Sequence, residues 1–193
     1  MEALLFSHDG KLFLAMRGGP YMTPVLQLCK LAQRNALNKV RDKISKDDID
    51  SVWGEYGSKR IADLVAEHKH QCNDVEELIN GFRGEHGKMS RDNLFRCINN
   101  KILSHMNVYI DKKVASSPME VAIFLFRIGF LTACSEDGDG YEHYSFREMP
   151  DLLSSRTSND FNMQWEIHPC YRQALDIKKI NRSQRIKRAT IDY

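Results

Sequence analysis

Between residues 24 and 43, apolar positions recur at helical spacing: Val25, Leu28, Cys29, Leu31, Ala32, Ala36, Leu37 and Val40. That period predicts an amphipathic helix over about 24–43. Gly18-Gly19-Pro20 breaks the chain ahead of it, and Thr23-Pro24 supplies an N-cap and a proline for the first helical position. Residues 1–16 are ambiguous, with two short apolar clusters around a His8-Asp9-Gly10 turn signal. Ser45-Lys-Asp-Asp48 opens a second helix, where Ser45 can cap free amides and the two acids suit the positive end of the dipole. Ile49, Val52, Trp53 and Tyr56 form its apolar side. Gly57-Ser58 reads as a break and a new cap, and Ile61, Leu64 and Val65 continue a helix to about His70. Asn73-Asp74 begins a shorter helix carrying Val75, Leu78, Ile79 and Phe82.

Residues 83–89 are polar and contain glycine, which makes them the best internal boundary. Ser90 then caps a helix with Leu94, Phe95, Ile98, Ile102 and Leu103. From Ser117-Pro118 the pattern changes. A helix with Val121, Ala122, Phe124, Leu125 and Ile128 stops at Gly129, and Phe130–Cys134 reads as a strand. A glycine turn over 136–140 follows, then an alternating strand over 141–146, and later Trp165-Glu-Ile-His-Pro169 leads into a short helix. Helix, strand, turn, strand is the back half of a winged helix. The expected fold is mainly α: a helical lid-like bundle over 1–83, a winged-helix-like α+β domain with a short antiparallel hairpin over 90–177, and an extension over 178–193.

Charge changes this picture only at the end of the chain. The formal net charge is +2, but residues 178–193 hold six of the 28 basic residues and one of the 26 acids. The rest carries 22 basic and 25 acidic residues, a net of −3. Lys178, Lys179, Arg182, Arg185, Lys187 and Arg188 could therefore meet phosphates through counterion release. The five scattered cysteines form no CxxC pair and suit reduced thiols rather than a disulfide framework. No apolar run approaches the roughly 20 residues a membrane-spanning helix needs, and the start lacks a basic signal region. A cytoplasmic location with no membrane partner is expected.

Candidate chemistry fails at named residues. Gly84-Glu-His-Gly-Lys-Met-Ser90 has the wrong glycine spacing for a phosphate-binding loop, and Met89 stands where a Mg²⁺-binding hydroxyl belongs. Asp137-Gly-Asp-Gly140 lacks the sixth-position glycine and twelfth-position glutamate of a calcium loop and reads as a hairpin turn. His68 and His70 are two apart and point to different sides of a helix. Cys72 does not complete a zinc pattern with them. Cys170 near His168 has no nucleophile signature, and His168-Pro169 reads as a helix-start corner. Neither an enzyme, a metal site nor a cofactor is expected.

Two stretches resemble the C-terminal region of a group of bacterial P-loop ATPases related to the AAA and STAND classes. Gly19-Pro-Tyr-Met-Thr-Pro-Val-Leu-Gln-Leu-Cys29, Ile44-Ser-Lys-Asp-Asp-Ile49, Glu55-Tyr-Gly-Ser-Lys-Arg-Ile-Ala-Asp-Leu64 and Glu67 look like the helical lid after the nucleotide-binding core. Phe126-Arg-Ile-Gly-Phe-Leu131, with Trp165-Glu-Ile-His-Pro169 and Ala174-Leu175, looks like the winged-helix end of the same proteins. The arginine pair that flanks the first proline in that group is absent, as are Walker A and Walker B elements. The resemblance implies a part or relative of such an ATPase, coupling a nucleotide-driven core to DNA, RNA or an effector protein.

The leading expectation is a non-catalytic recognition module that binds DNA through the winged helix and the basic tail. Lys112, Lys113 and Arg147 would add contacts on the wing side. The alternative is a protein-interaction or oligomerisation module of an ATPase-based regulatory or defence system, which the acidic body favours. Its partner would be the ATPase core, an effector or a second copy.

Overall fold

A computed structural model describes residues 4–6, 12–14, 22–137, 140–153 and 163–178. The chain is mainly α with small antiparallel sheets. It divides into two compact units, Met1–Arg60 and Ile61–Tyr193. No helix among the described residues is long and apolar enough to cross a membrane.

In the first unit, strands β1 (Leu4–Phe6) and β2 (Leu12–Leu14) pair antiparallel. Helix α1 (Met22–Asn38) buries Leu28, Leu31, Ala32 and Ala36, the apolar stripe predicted from spacing. It stops short of residue 43. Val40 adopts a left-handed φ of 55°, and the Arg41 amide bonds back to the Ala36 carbonyl at 2.9 Å. That six-to-one closure leaves Val40 95% exposed, so it is not a core position.

The early stop hands Arg41 to a buried carboxylate. Asp48, fully buried near the start of α2 (Lys46–His68), accepts from the Ser45 amide at 2.9 Å and the Ser45 hydroxyl at 2.6 Å. Its other oxygen takes the Arg41 guanidinium and, at 3.1 Å, the Asn35 amide, with the Lys39 ammonium 3.6 Å away. Bonds from the Ser45 side chain and backbone, with the Arg41 and Lys39 charges, outweigh burial and hold this carboxyl below the usual carboxylate range.

Helix α2 does not break at Gly57. The Ser58 hydroxyl donates back to the Gly54 carbonyl at 3.1 Å instead of capping a new helix. The two interior glycines, Gly54 and Gly57, cost about 1 kcal/mol each, which continued helical bonding outweighs.

The second unit is built on α3 (Val75–Asn80), β3 (Lys88–Ser90), α4 (Arg91–Ile98), α5 (Pro118–Arg127), β6 (Leu131–Asp137), β7 (Gly140–Tyr144), β8 (Gln164–Ile167) and α6 (Pro169–Arg172). Of these, β3 lies where the sequence suggests a loop. Ser90 caps α4, accepting from the Asn93 amide, and a π turn over Asn99–Leu103 extends that helix. Ser117 caps α5, accepting from the Glu120 amide at 3.3 Å, with Pro118 in its first turn. Gly129, at φ 77°, ends it, and the Phe130 amide closes on the Leu125 carbonyl at 3.0 Å.

The four-stranded antiparallel sheet has the order β3-β8-β6-β7. Alternation sends Met89, Leu131, Ala133, Trp165 and Ile167 to one face, all buried. Phe126 of α5 meets the Trp165 ring edge-on at 5.2 Å, and Phe130 lies 5.4 Å from Phe82 and 5.5 Å from Tyr171. The opposite face carries Lys88, Thr132, Cys134, His143 and Glu166, whose register partners share it.

Candidate functional site

Tyr109 to Val114 form a hairpin that the sequence does not announce. The two-residue strands Tyr109–Ile110 (β4) and Lys113–Val114 (β5) pair antiparallel, with Tyr109 opposite Val114. Asp111 and Lys112 form the turn, both left-handed at φ 50° and 66°, the geometry that matches strand twist in a two-residue turn. The Asp111 amide donates to the Gln71 carbonyl at 2.8 Å, and its carboxylate pairs with Arg127 at 3.0 Å. Those two bonds hold a turn that lacks the usual Asn-Gly.

Lys112 and Lys113 are therefore brought together, exposed, at the hairpin turn. Next to them Tyr109 and Val114 are 47% and 52% exposed, an apolar cross-strand pair on the surface. Arg147 is exposed in the turn after β7, and Lys178 is exposed where its segment bridges His86 in parallel fashion. Lys179, Arg182, Arg185, Lys187 and Arg188 lie outside the described residues. The expected basic surface is thus spread over three elements among the described residues, with only Lys112 and Lys113 adjacent.

Helix α5 directly precedes the strand β6, as the helix–strand order read from the sequence requires. Val121, Ala122, Phe124, Leu125 and Phe126 are buried along it. Arg127, one of its exposed charges, lies over the Phe124 ring at 5.4 Å and pairs with Asp111. The other, Glu120, accepts from the Ser116 amide at 2.8 Å.

The thiols divide by place. Burial pushes Cys97 up to about 11 and raises Cys29 and Cys72, so these three stay protonated and poor as nucleophiles. His168 does what its helix-start position predicts: Nδ1 accepts from the Cys170 amide at 3.4 Å and lies 2.9 Å from the buried Cys170 sulfur. Within the described residues, His68 and His70 join no metal-holding group; the cluster that does form is Cys134, His143 and Glu166. Residues so far apart in the chain leave no local spacing signal, and strand pairing alone unites them.

Comparison with protein-family models, curated proteins and solved structures finds no match for this chain.

Proposed function

We propose that the chain is a non-catalytic recognition module, that its second unit is a winged helix, and that its partner is a protein. Connectivity supports the architecture: helix α3, strand β3, helices α4 and α5, then β6 and β8, with β8 between β3 and β6 in the sheet. Strand β7 is an addition on the wing side. The resemblance to the end of P-loop ATPases points the same way and suggests an ATPase core or its effector as the partner.

One observation carries the choice of a protein over DNA: α5 is packed into the core along most of its length. A groove-reading helix needs several side chains free to reach base edges. Here the exposed charges are Glu120 and Arg127, both engaged locally. The neighbouring hairpin instead offers Tyr109 and Val114, an apolar pair of the kind enriched at protein interfaces.

DNA binding keeps support from Lys112 and Lys113 at the hairpin turn and from the six cations of 178–193. Two measurements on the full chain separate the readings. Affinity purification with the native chain and with Tyr109→Glu/Val114→Glu is expected to enrich a partner that the double variant loses. Fluorescence anisotropy on a DNA duplex is expected to show nothing tighter than the non-specific range of about 10⁻⁴–10⁻⁶ M at physiological salt. Tighter, salt-dependent binding lost in Lys112→Glu/Lys113→Glu would replace the protein partner with DNA.

A further inference from the structure

The polar face of the four-stranded sheet gathers a ligand set from three adjacent strands. Cys134 on β6 is directly opposite His143 on β7 and Gln164 on β8, which puts Glu166 at the diagonal position. The Cys134 sulfur, a ring nitrogen of His143 and a carboxylate oxygen of Glu166 all lie within 4.8 Å of one another. Cys134 is fully buried, the Glu166 side chain is 13% exposed, and His143 is exposed on the edge strand.

Glu166 is held from one side. Arg172 binds its Oε2 at 2.8 Å while the Arg172 Nε donates to the Ile167 carbonyl at 2.6 Å. The Oε1 oxygen faces the Lys88 ammonium at 3.7 Å, and the same ammonium lies 3.6 Å from the Cys134 sulfur. The carboxylate contact exceeds the roughly 2.7–2.9 Å of a tight ammonium–carboxylate bond, while the contact to sulfur is an ordinary hydrogen bond. Lys88 thus sits between two of the three ligand atoms as a monovalent cation bridging them.

The geometry points to a binding site for a borderline divalent metal of the zinc type, formed by Cys134, His143 and Glu166 and exclusive with the inward position of Lys88. Sulfur with imidazole nitrogen selects zinc-like ions over Mg²⁺ and Ca²⁺, which take oxygen ligands. Metal–ligand bonds of about 2.0–2.3 Å in a tetrahedron place ligand atoms roughly 3.3–3.8 Å apart, so side-chain rotation closes the set without moving the strands. A thiolate and a carboxylate together neutralise a dication, and on binding the Cys134 proton leaves to solvent. Water fills the fourth position on the exposed His143 side. The rival chemistry, Cys134 as a nucleophile with His143 and Glu166, is disfavoured because the fully buried sulfur admits a small ion once the side chains rotate but gives no approach to a larger electrophile. Arg172 is a positioning residue: it fixes the carboxylate that Lys88 or the metal then meets.

This inference stands apart from the choice of macromolecular partner, and Co²⁺ titration of the full chain tests it. The expected result is one equivalent bound, with the near-ultraviolet band of a thiolate–Co²⁺ bond and the visible bands of a tetrahedral ion. Zn²⁺ should displace it. Cys134→Ser should abolish the ultraviolet band, and His143→Ala, a change at an exposed position, should weaken binding at least about tenfold without unfolding the chain. Lys88→Met should tighten binding several-fold by removing the competing cation, and Arg172→Ala should weaken it about tenfold. Absence of the thiolate band in the folded native chain overturns the site. So does a band that persists unchanged in His143→Ala. Equal affinity in Lys88→Met overturns the exclusion by Lys88.

Discussion

At Asp48 a single buried carboxylate organises the turn between two helices. Four hydrogen-bond donors, from Ser45, Asn35 and Arg41, converge on it, with the Lys39 ammonium as a further ion pair. Asp48→Asn should lower the urea midpoint at neutral pH, because Arg41 and Lys39 then lose their counter-charge. The folded-state pKa is depressed, so this contribution is complete above the unfolded value of about 3.9 and is lost as pH falls through the folded value. The gap in urea midpoint between native and Asp48→Asn chains should therefore shrink as pH is taken from 7 towards 3. Val40 makes the opposite case. A β-branched residue at φ 55°, almost wholly exposed, costs backbone strain with no packing return. Val40→Gly should raise stability by about 1 kcal/mol, read as a higher Tm.

Helix ends show how local chemistry and tertiary demand divide the control of an element. Ser117 and Gly129 bracket α5 as their residue types require, so both ends are legible in the sequence. Ser117→Ala should cost about 1 kcal/mol by orphaning the Glu120 amide. At Gly129 a Cβ would meet nothing within 4 Å, yet its φ of 77° disfavours any side chain. Gly129→Ala should therefore cost about 1 kcal/mol from strain alone, measured by chemical denaturation. Gly57-Ser58 carries similar letters and ends nothing, because Ser58 finds a carbonyl within the same helix. The strand at Lys88–Ser90 is equally illegible: three polar-flanked residues become β3 only because β8 arrives to pair with them.

Across the second unit, the aromatic centre ties the helices to the sheet. Trp165 is fully buried on the central strand β8 and meets Phe126, which in turn lies 5.6 Å from Phe146. Trp165→Ala should cost about 3–5 kcal/mol, seen as an early unfolding transition of this unit by near-ultraviolet circular dichroism. The same packing explains why α5 presents so little to a partner. Its apolar positions are visible in the sequence, but whether one face or nearly all faces are covered depends on what surrounds it. The partner surface proposed above consequently lies on the Tyr109–Val114 hairpin and not on the helix, and its short strands carry no periodic signal.

By itself the sequence determined where chain direction and polarity change: the stripes of α1 and α5, the caps at Ser90 and Ser117, the stop at Gly129, the hairpin of β6 and β7, and the His168-Pro169 corner. These rest on interactions within a few residues, so local letters suffice. Tertiary structure alone decided that β8 lies between β3 and β6, that Asp48 draws Arg41 out of a helix, and that Lys88, Cys134, His143 and Glu166 share one face. Each joins residues that only folding brings together: the partners of a strand or a charge are chosen by burial and pairing in space, which no window along the chain contains.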